Sequence, residues 1–232
     1  MKPKRTGTMG AALALLGVAL VVFTQWMAFF WAPTEALQGP IQRIYYIHIP
    51  AAWLCELAFV VCAFASAIYL WLGEERADAA AVVAAEGGLW LGVLLLVVGP
   101  LWGRVAWGTW WTWEPRLTLT LLLWFIYFGY FLVRGAATNP ERGKRLAAVV
   151  AIVGALDIPL IHMSVYWFRS LHPEPVVLRP EGPTADPEIV VTLLASLGAW
   201  TVLFLGLCMV RYGVELAERA LLHRPSPSRE AA

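Results

Sequence analysis

The residues best suited to chemistry lie in one tryptophan-rich segment, residues 102–118, which separates two long apolar runs. Five of the chain's 13 Trp residues fall in it: Trp102, Trp107, Trp110, Trp111 and Trp113. An aromatic belt at a membrane surface needs only one or two Trp residues at each helix end, whereas four of these lie within seven positions. A dense aromatic shelf flanked by Arg104 and Arg116 therefore favours a flat, apolar, anionic ligand over a simple belt.

Two of the four histidines, His48 and His172, flank this segment in sequence, and each lies at the end of an apolar run. Neutral imidazole is a common ligand of haem iron, and two imidazoles on opposite faces make a six-coordinate site. The alternative is that each is an ordinary interfacial histidine. His162 lies inside an apolar run, where an interhelical hydrogen bond is the favoured role. His223 lies in the polar C-terminal tail, where we expect it to be solvated.

Three carboxylates, Glu56, Glu86 and Asp157, also lie inside apolar runs. A carboxylate is too costly to face lipid, so each should face other helices, and structural pairing is favoured over a proton relay. The three Cys residues lie inside apolar runs and form no Cys-x-x-Cys or Cys-x-x-Cys-His motif. The sequence therefore gives no support for covalent haem attachment. No nucleophile with a nearby base and no phosphate-binding glycine loop is apparent.

The composition indicates an integral membrane protein: 60% of the residues are hydrophobic, 14% are charged, and the mean hydropathy is +0.67. A net charge of +1 gives no reason to expect nucleic acid as a partner. Apolar runs of about 20 residues can each cross a bilayer as a helix. We therefore predict an all-α polytopic protein with one integral membrane domain, residues 1–232. Its six spans are about 9–31, 50–72, 79–101, 116–133, 146–166 and 189–210.

Proline positions add local detail to the six spans. Pro50 and Pro115 suit the first turn of the second and fourth helices, and Pro159 predicts a kink in the fifth. With six spans, both termini share one side, which holds twelve of the 17 Lys and Arg residues, against five on the other. The excess of basic residues predicts cytoplasmic termini, with His48, His172 and the Trp-rich loop on the outer face.

Residues 107–118, Trp-Gly-Thr-Trp-Trp-Thr-Trp-Glu-Pro-Arg-Leu-Thr, resemble the tryptophan-rich signature of the haem-handling membrane proteins of cytochrome c biogenesis. Within that group, the six spans and short length resemble the CcmC, or haem exporter protein C, family. Residues 44–52, 158–167 and 171–173 support the resemblance. The chain departs from the family pattern twice: Glu114 stands where Asp is usual, and Asp157 where a neutral polar residue is expected.

The resemblance implies a carrier that is not an enzyme, which binds haem b on the extracytoplasmic face and delivers it to a haem chaperone. It also implies a location in a bacterial inner membrane. An ATP-driven (ABC-type) transporter pair and a small single-span subunit are the implied partners, besides membrane lipids. By the motif match, His48 and His172 correspond to the axial haem ligands. The matching haem shelf comprises Trp107, Trp110, Trp111, Trp113 and Glu114, with Arg104 and Arg116 beside it. A haem- or quinone-dependent membrane oxidoreductase subunit is the alternative function, and a solute permease subunit is a third.

Within the shelf, a helical turn between Arg104 and Glu114 would bring Trp107, Trp110 and Trp111 onto one face. Glu114 precedes a proline, so we expect it to leave the helix and to tie down the loop with its carboxylate. Covering ~200 Å² of porphyrin would contribute about 5 kcal/mol, against about 0–1 kcal/mol for an exposed arginine–propionate pair. Stacking should therefore dominate the affinity.

Overall fold

The computed structural model describes residues 3–168, 170–172, 177, 180 and 182–222, and these residues form seven α-helices and one short 3₁₀ helix. The α-helices are α1 (Pro3–Phe30), α2 (Tyr45–Leu72), α3 (Glu75–Ala106), α4 (Pro115–Ala136), α5 (Pro140–Ala155), α6 (Asp157–Trp167) and α7 (Pro187–Leu222), and the 3₁₀ helix is Pro40–Ile44. With α5 and α6 taken together, six segments are long and apolar enough to cross a membrane. The prediction of an all-α protein with six spans is therefore confirmed.

Two helix ends differ from the sequence-based prediction. The second span begins at Tyr45, so Pro50 lies inside α2 and not in its first turn. The 3₁₀ helix runs directly into α2, and the side chain of Tyr46 is fully buried, so tertiary packing extends the helix upstream of the proline. The third span continues to Ala106, which makes Trp102 helical and confines the irregular part of the Trp-rich segment to residues 107–114.

The fifth span is broken, as the proline in it predicts. α5 ends at Ala155, Leu156 forms a turn, and α6 begins at Asp157, two residues before Pro159. Proline has no N–H to donate to the preceding turn, which leaves the helix free to change direction there.

The centre of the bundle is formed by α2, α3, α4 and α5. The rings of Phe59 and Tyr127 stack with their centroids 3.8 Å apart. The Tyr127 hydroxyl lies 2.9 Å from the carbonyl oxygens of both Phe59 and Ala151, so one buried side chain joins α4 to α2 and α5. A buried hydroxyl needs a hydrogen-bond partner in an apolar interior. These contacts therefore favour the arrangement of α2, α4 and α5 in which both carbonyl oxygens are within reach of Tyr127.

The intramembrane carboxylates are paired in two of three cases. Glu86 accepts a hydrogen bond from Arg211 at 2.9 Å, and Glu56 pairs with His162 at 2.8 Å across α2 and α6. These contacts confirm the pairing expected for both carboxylates and the interhelical hydrogen bond expected for His162. The pairing expected for Asp157 is wrong for one of its oxygens, because Oδ2 is buried and has no hydrogen-bond partner in the described part of the chain.

A close helix contact joins α1 to α7. A Cβ atom at Gly206 would lie 2.4 Å from the backbone nitrogen of Ala14, which is too close for any side chain. Small residues allow two membrane helices to approach to backbone contact, and the packing gained there replaces the hydrophobic effect that is absent between helices in lipid.

Gly206→Ala should therefore force α1 and α7 apart and lower stability by about 1–3 kcal/mol. Gly198→Ala, in the same helix, is the matched control, because a Cβ atom there would meet nothing within 4 Å. It should leave stability unchanged or raise it slightly, since alanine favours the helix. Thermal unfolding in detergent measures both, and equal melting temperatures for the two variants would contradict the close contact.

Candidate functional site

Glu114 joins two loops at one end of the bundle. It directly precedes Pro115, the first residue of α4, and its backbone is extended (φ −66°, ψ 154°) as expected before proline. Its carboxylate accepts hydrogen bonds from the Leu171 amide at 2.8 Å and from the Ser170 hydroxyl at 3.0 Å, and it contacts Nδ1 of His172. The prediction that this carboxylate ties down a loop is confirmed, and the loop it holds is the segment that follows α6.

The Glu114–His172 contact sets the protonation of both groups. Burial acts to raise the pKa of the Glu114 carboxyl, but the hydrogen bonds from Leu171 and His172 outweigh burial and hold that pKa below its usual value. Burial lowers the pKa of His172, and the nearby Arg116 guanidinium adds to this effect, against the opposing hydrogen bond to Glu114. At neutral pH, His172 is therefore a neutral imidazole that donates from Nδ1 to a carboxylate, which leaves the lone pair of Nε2 available.

The other face of His172 meets an indole. The rings of Trp107 and His172 are in edge contact, with centroids 5.2 Å apart and planes inclined by 63°. A Cβ atom at Gly103 would lie 3.3 Å from the Trp107 ring, so this glycine of α3 leaves space for the indole. The His172 imidazole is thus held by the Glu114 contact at Nδ1 and by the aromatic contact with Trp107.

His48 lies in the first turn of α2 and packs against the last turns of α3. Its ring makes an edge contact with Trp102, with centroids 5.4 Å apart and planes inclined by 78°. A Cβ atom at Gly99 would lie 3.2 Å from Cε1 of His48 and 3.8 Å from Nδ1, so this edge of the imidazole faces α3. Among the described residues, Nδ1 of His48 is buried and has no hydrogen-bond partner.

His48 contacts Trp102 and His172 contacts Trp107, so both imidazoles lie at the C-terminal end of α3. Arg116, in the first turn of α4, follows by two residues the Glu114 that holds His172. The start of α2, the start of α4 and the segment after α6 thus bring His48, His172 and Arg116 together at one end of the bundle, although His48 and His172 lie far apart in sequence.

Residues 107–114 contain no helical turn, so the condition under which Trp107, Trp110 and Trp111 would share one face is not met. α3 ends at Ala106, Gly108 has φ +78°, and residues 109–114 stay irregular up to Pro115. Trp110 and Trp113 are 57% and 75% exposed, whereas Trp107 and Trp111 are partly buried.

Arg104 is occupied within this loop, because its Nη1 donates a hydrogen bond to the Gly108 carbonyl oxygen. The edge contact between Trp111 and Trp113, with centroids 5.8 Å apart, stiffens the same stretch. Of the two flanking arginines, Arg116 is therefore the better placed to meet a ligand between the histidines. His223, expected to be solvated, lies outside the described residues.

Sequence reasoning missed the residues that support His48. The indole Nε1 of Trp102 donates to Oε1 of Gln38 at 2.7 Å. Gln38 lies in the α1–α2 connection. There the backbone N–H groups of Gln38 and Leu37 donate to the Glu35 carboxylate at 2.5 and 2.9 Å, respectively. Glu35 and Gln38 belong to no motif and carry no periodic signal, so only the folded chain reveals that they hold Trp102.

The model of the family CcmC, heme exporter protein C, matches residues 3–225. The chain belongs to the CcmC family. Among its relatives, the heme exporter protein C of Bradyrhizobium diazoefficiens is 38% identical over 188 residues, which cover 81% of this chain and 72% of that protein. Those of Haemophilus influenzae and Escherichia coli K12 are 33% identical over 204 residues (88% and 81%) and 34% identical over 160 residues (69% and 65%).

Replacing Glu114 by alanine should release the segment after α6. Hydrogen bonds to a charged acceptor contribute about 1.5–3 kcal/mol, so amide exchange at Leu171 should accelerate by roughly tenfold or more. Hydrogen–deuterium exchange with mass spectrometry measures this local opening.

Glu35→Ala is the matched control, because Glu35 also accepts two backbone amides in a loop. It should speed exchange at Leu37 and Gln38 and leave Leu171 unchanged. Unaltered exchange at Leu171 in Glu114→Ala would mean that the carboxylate does not hold the segment.

Proposed function

We propose that this CcmC-family protein binds haem b between His48 and His172 on the extracytoplasmic face and delivers it to a haem chaperone for cytochrome c maturation. The observation that carries the proposal is that the His48 ring contacts Trp102 and the His172 ring contacts Trp107, so both imidazoles lie at the C-terminal end of α3 beside the Trp-rich loop. The family's description as heme exporter protein C supports haem as the molecule handled.

The side chains suit a planar anionic iron porphyrin. Two imidazoles are a common axial ligand pair for haem iron. With Nδ1 of His172 held by Glu114, its other ring nitrogen, Nε2, carries the lone pair that would bind iron. The exposed indoles of Trp110 and Trp113 offer apolar surface for the porphyrin. If ~200 Å² is covered, stacking contributes about 5 kcal/mol. Arg116 is the better placed cation for a propionate, and its main effect would be to orient the ring.

A carrier fits the residues better than the alternative oxidoreductase subunit. Electron transfer needs a second cofactor, and within the described helices the remaining histidine, His162, is already bonded to Glu56. The family's name also points to transport and not to catalysis. We infer that the chain forms one integral membrane domain, residues 1–232. As partners in a haem-exporting complex we infer an ATP-driven transporter pair, a small single-span subunit and the haem chaperone, with membrane lipids around them.

The sidedness is part of the proposal and rests on the excess of Lys and Arg at the end of the bundle that holds both termini. A reporter inserted at Thr138, between α4 and α5, should be cytoplasmic, and one inserted at Pro183, between α6 and α7, should be extracytoplasmic. Paired enzymatic reporters, each active on one side of the inner membrane, measure this. Activity on the outside at both positions would contradict the six-span topology.

The ligand pair can be tested by absorption spectroscopy of the purified protein, both oxidised and reduced. His48→Ala or His172→Ala should convert the six-coordinate low-spin spectrum to a five-coordinate one or abolish haem binding, because one axial ligand is lost. His162→Ala and His223→Ala are the controls and should keep the wild-type spectrum. Loss of the spectrum in His162→Ala, with no effect of His172→Ala, would mean that the ligands are wrongly assigned.

A further inference from the structure

The two histidines of the site are held in unequal ways. Nδ1 of His172 contacts the Glu114 carboxylate, which is itself fixed by Ser170 and the Leu171 amide. Nδ1 of His48 is buried against Gly99 and has no hydrogen-bond partner among the described residues. The two rings therefore differ in the environment of Nδ1, the nitrogen that faces away from a ligand bound at Nε2.

This difference changes the strength of each imidazole as a ligand. A carboxylate that accepts a hydrogen bond from Nδ1–H fixes the tautomer and raises the basicity of Nε2, and losing such a partner typically costs 10–100-fold in metal affinity. Within the described part of the chain His48 has no such acceptor, so its Nε2 stays an ordinary neutral imidazole nitrogen. A buried N–H without a partner also disfavours the tautomer that His48 must adopt when Nε2 binds iron.

We propose that His48 is the exchangeable axial ligand and His172 the retained one, so that handover of haem begins on the His48 face. This inference rests on the proposed function of the site. In the exchange, the bond between iron and His48 Nε2 breaks and one bond forms from iron to a ligand of the acceptor. No electron is transferred, and His48 keeps its Nδ1 proton.

His48 is positioned through Trp102 instead of through a hydrogen bond of its own. Trp102 contacts the imidazole edge-on and is anchored by the 2.7 Å hydrogen bond from its Nε1 to Gln38. Gln38 follows Leu37, whose side chain is 94% exposed, in the turn held by Glu35. The support of His48 is therefore accessible from outside the bundle, whereas that of His172 is a buried carboxylate. Gln38 and Trp102 are positioning residues for the exchangeable ligand.

The first test compares the two single-ligand variants in the full-length protein. In reduced, five-coordinate haem, resonance Raman spectroscopy gives the iron–histidine stretching frequency, which rises with the basicity of the remaining imidazole. The frequency should be higher in His48→Ala, where His172 remains, than in His172→Ala. Adding Glu114→Gln should lower it in the His48→Ala background and leave it unchanged in the His172→Ala background. Equal frequencies, or the reverse order, would overturn the proposal.

The second test keeps both histidines and uses cyanide as the competing ligand for ferric haem. Gln38→Ala and Trp102→Phe each remove the Gln38–Trp102 hydrogen bond, so each should raise the apparent cyanide affinity several-fold. The double variant should match Trp102→Phe, since Gln38 acts on His48 only through the hydrogen bond that Trp102→Phe already removes. Trp71→Phe is the control, because Trp71 is 88% exposed at the far end of α2, and it should bind cyanide like the wild type. Unchanged affinity in both single variants would overturn the role of Gln38 and Trp102.

The outcomes separate this inference from the proposed function. If neither His48→Ala nor His172→Ala alters the six-coordinate spectrum, the proposed haem site itself is wrong. If both variants alter the spectrum and their iron–histidine stretching frequencies are equal, the haem site is supported. The assignment of His48 as the exchangeable ligand is then wrong. If the single-ligand variants release haem, their relative retention decides: His48→Ala should retain about tenfold more haem than His172→Ala, and the reverse order contradicts the proposal.

Discussion

The arrangement of this end of the molecule depends on one buried carboxylate. Glu114 stands at the junction of the Trp-rich loop and α4, and it holds the segment after α6 through Ser170, Leu171 and His172. Two loops that emerge from different helices are thereby fixed to each other and to the first turn of α4. A carboxylate is suited to this role because it accepts several hydrogen bonds at once, and each is strengthened by its charge. Aspartate would have to reach the same three donors with an arm shorter by one methylene.

The last turns of α3 form the support against which both histidines rest. Gly99 and Gly103 are one helical turn apart and lie on one face, where the first accommodates the His48 ring and the second the Trp107 ring. Trp102, between them, contacts His48 and reaches Gln38. Small residues at these two positions bring the aromatic rings close to the helix backbone. The extension of α3 to Ala106 therefore matters for the site, because it supplies a rigid helical surface where the sequence indicated a loop.

The opposite end of the bundle is stabilised by charge. Asp78 is buried and pairs with Arg134 at 2.5 Å and with Arg219 at 2.8 Å, which joins α3, α4 and α7. A buried carboxylate held by two guanidinium groups resists separation of the helices, because moving both arginines away would leave the buried charge of Asp78 uncompensated. The bundle is thus held by ion pairs at one end and by a hydrogen-bonded carboxylate at the other, with the apolar contacts of Phe59 and Tyr127 between them.

The sequence by itself determined the number of spans, because crossing a bilayer depends on length and hydropathy, which are local properties. It also determined which residue types could bind haem, because the Trp-rich motif and the histidines at the ends of apolar runs are legible along the chain. Only the tertiary structure decided how each histidine is supported. Glu114 and His172 are 58 residues apart, and Gln38 and Trp102 are 64 apart. Pairings over such separations follow from which helix ends meet in the bundle, and no periodicity along the chain encodes that.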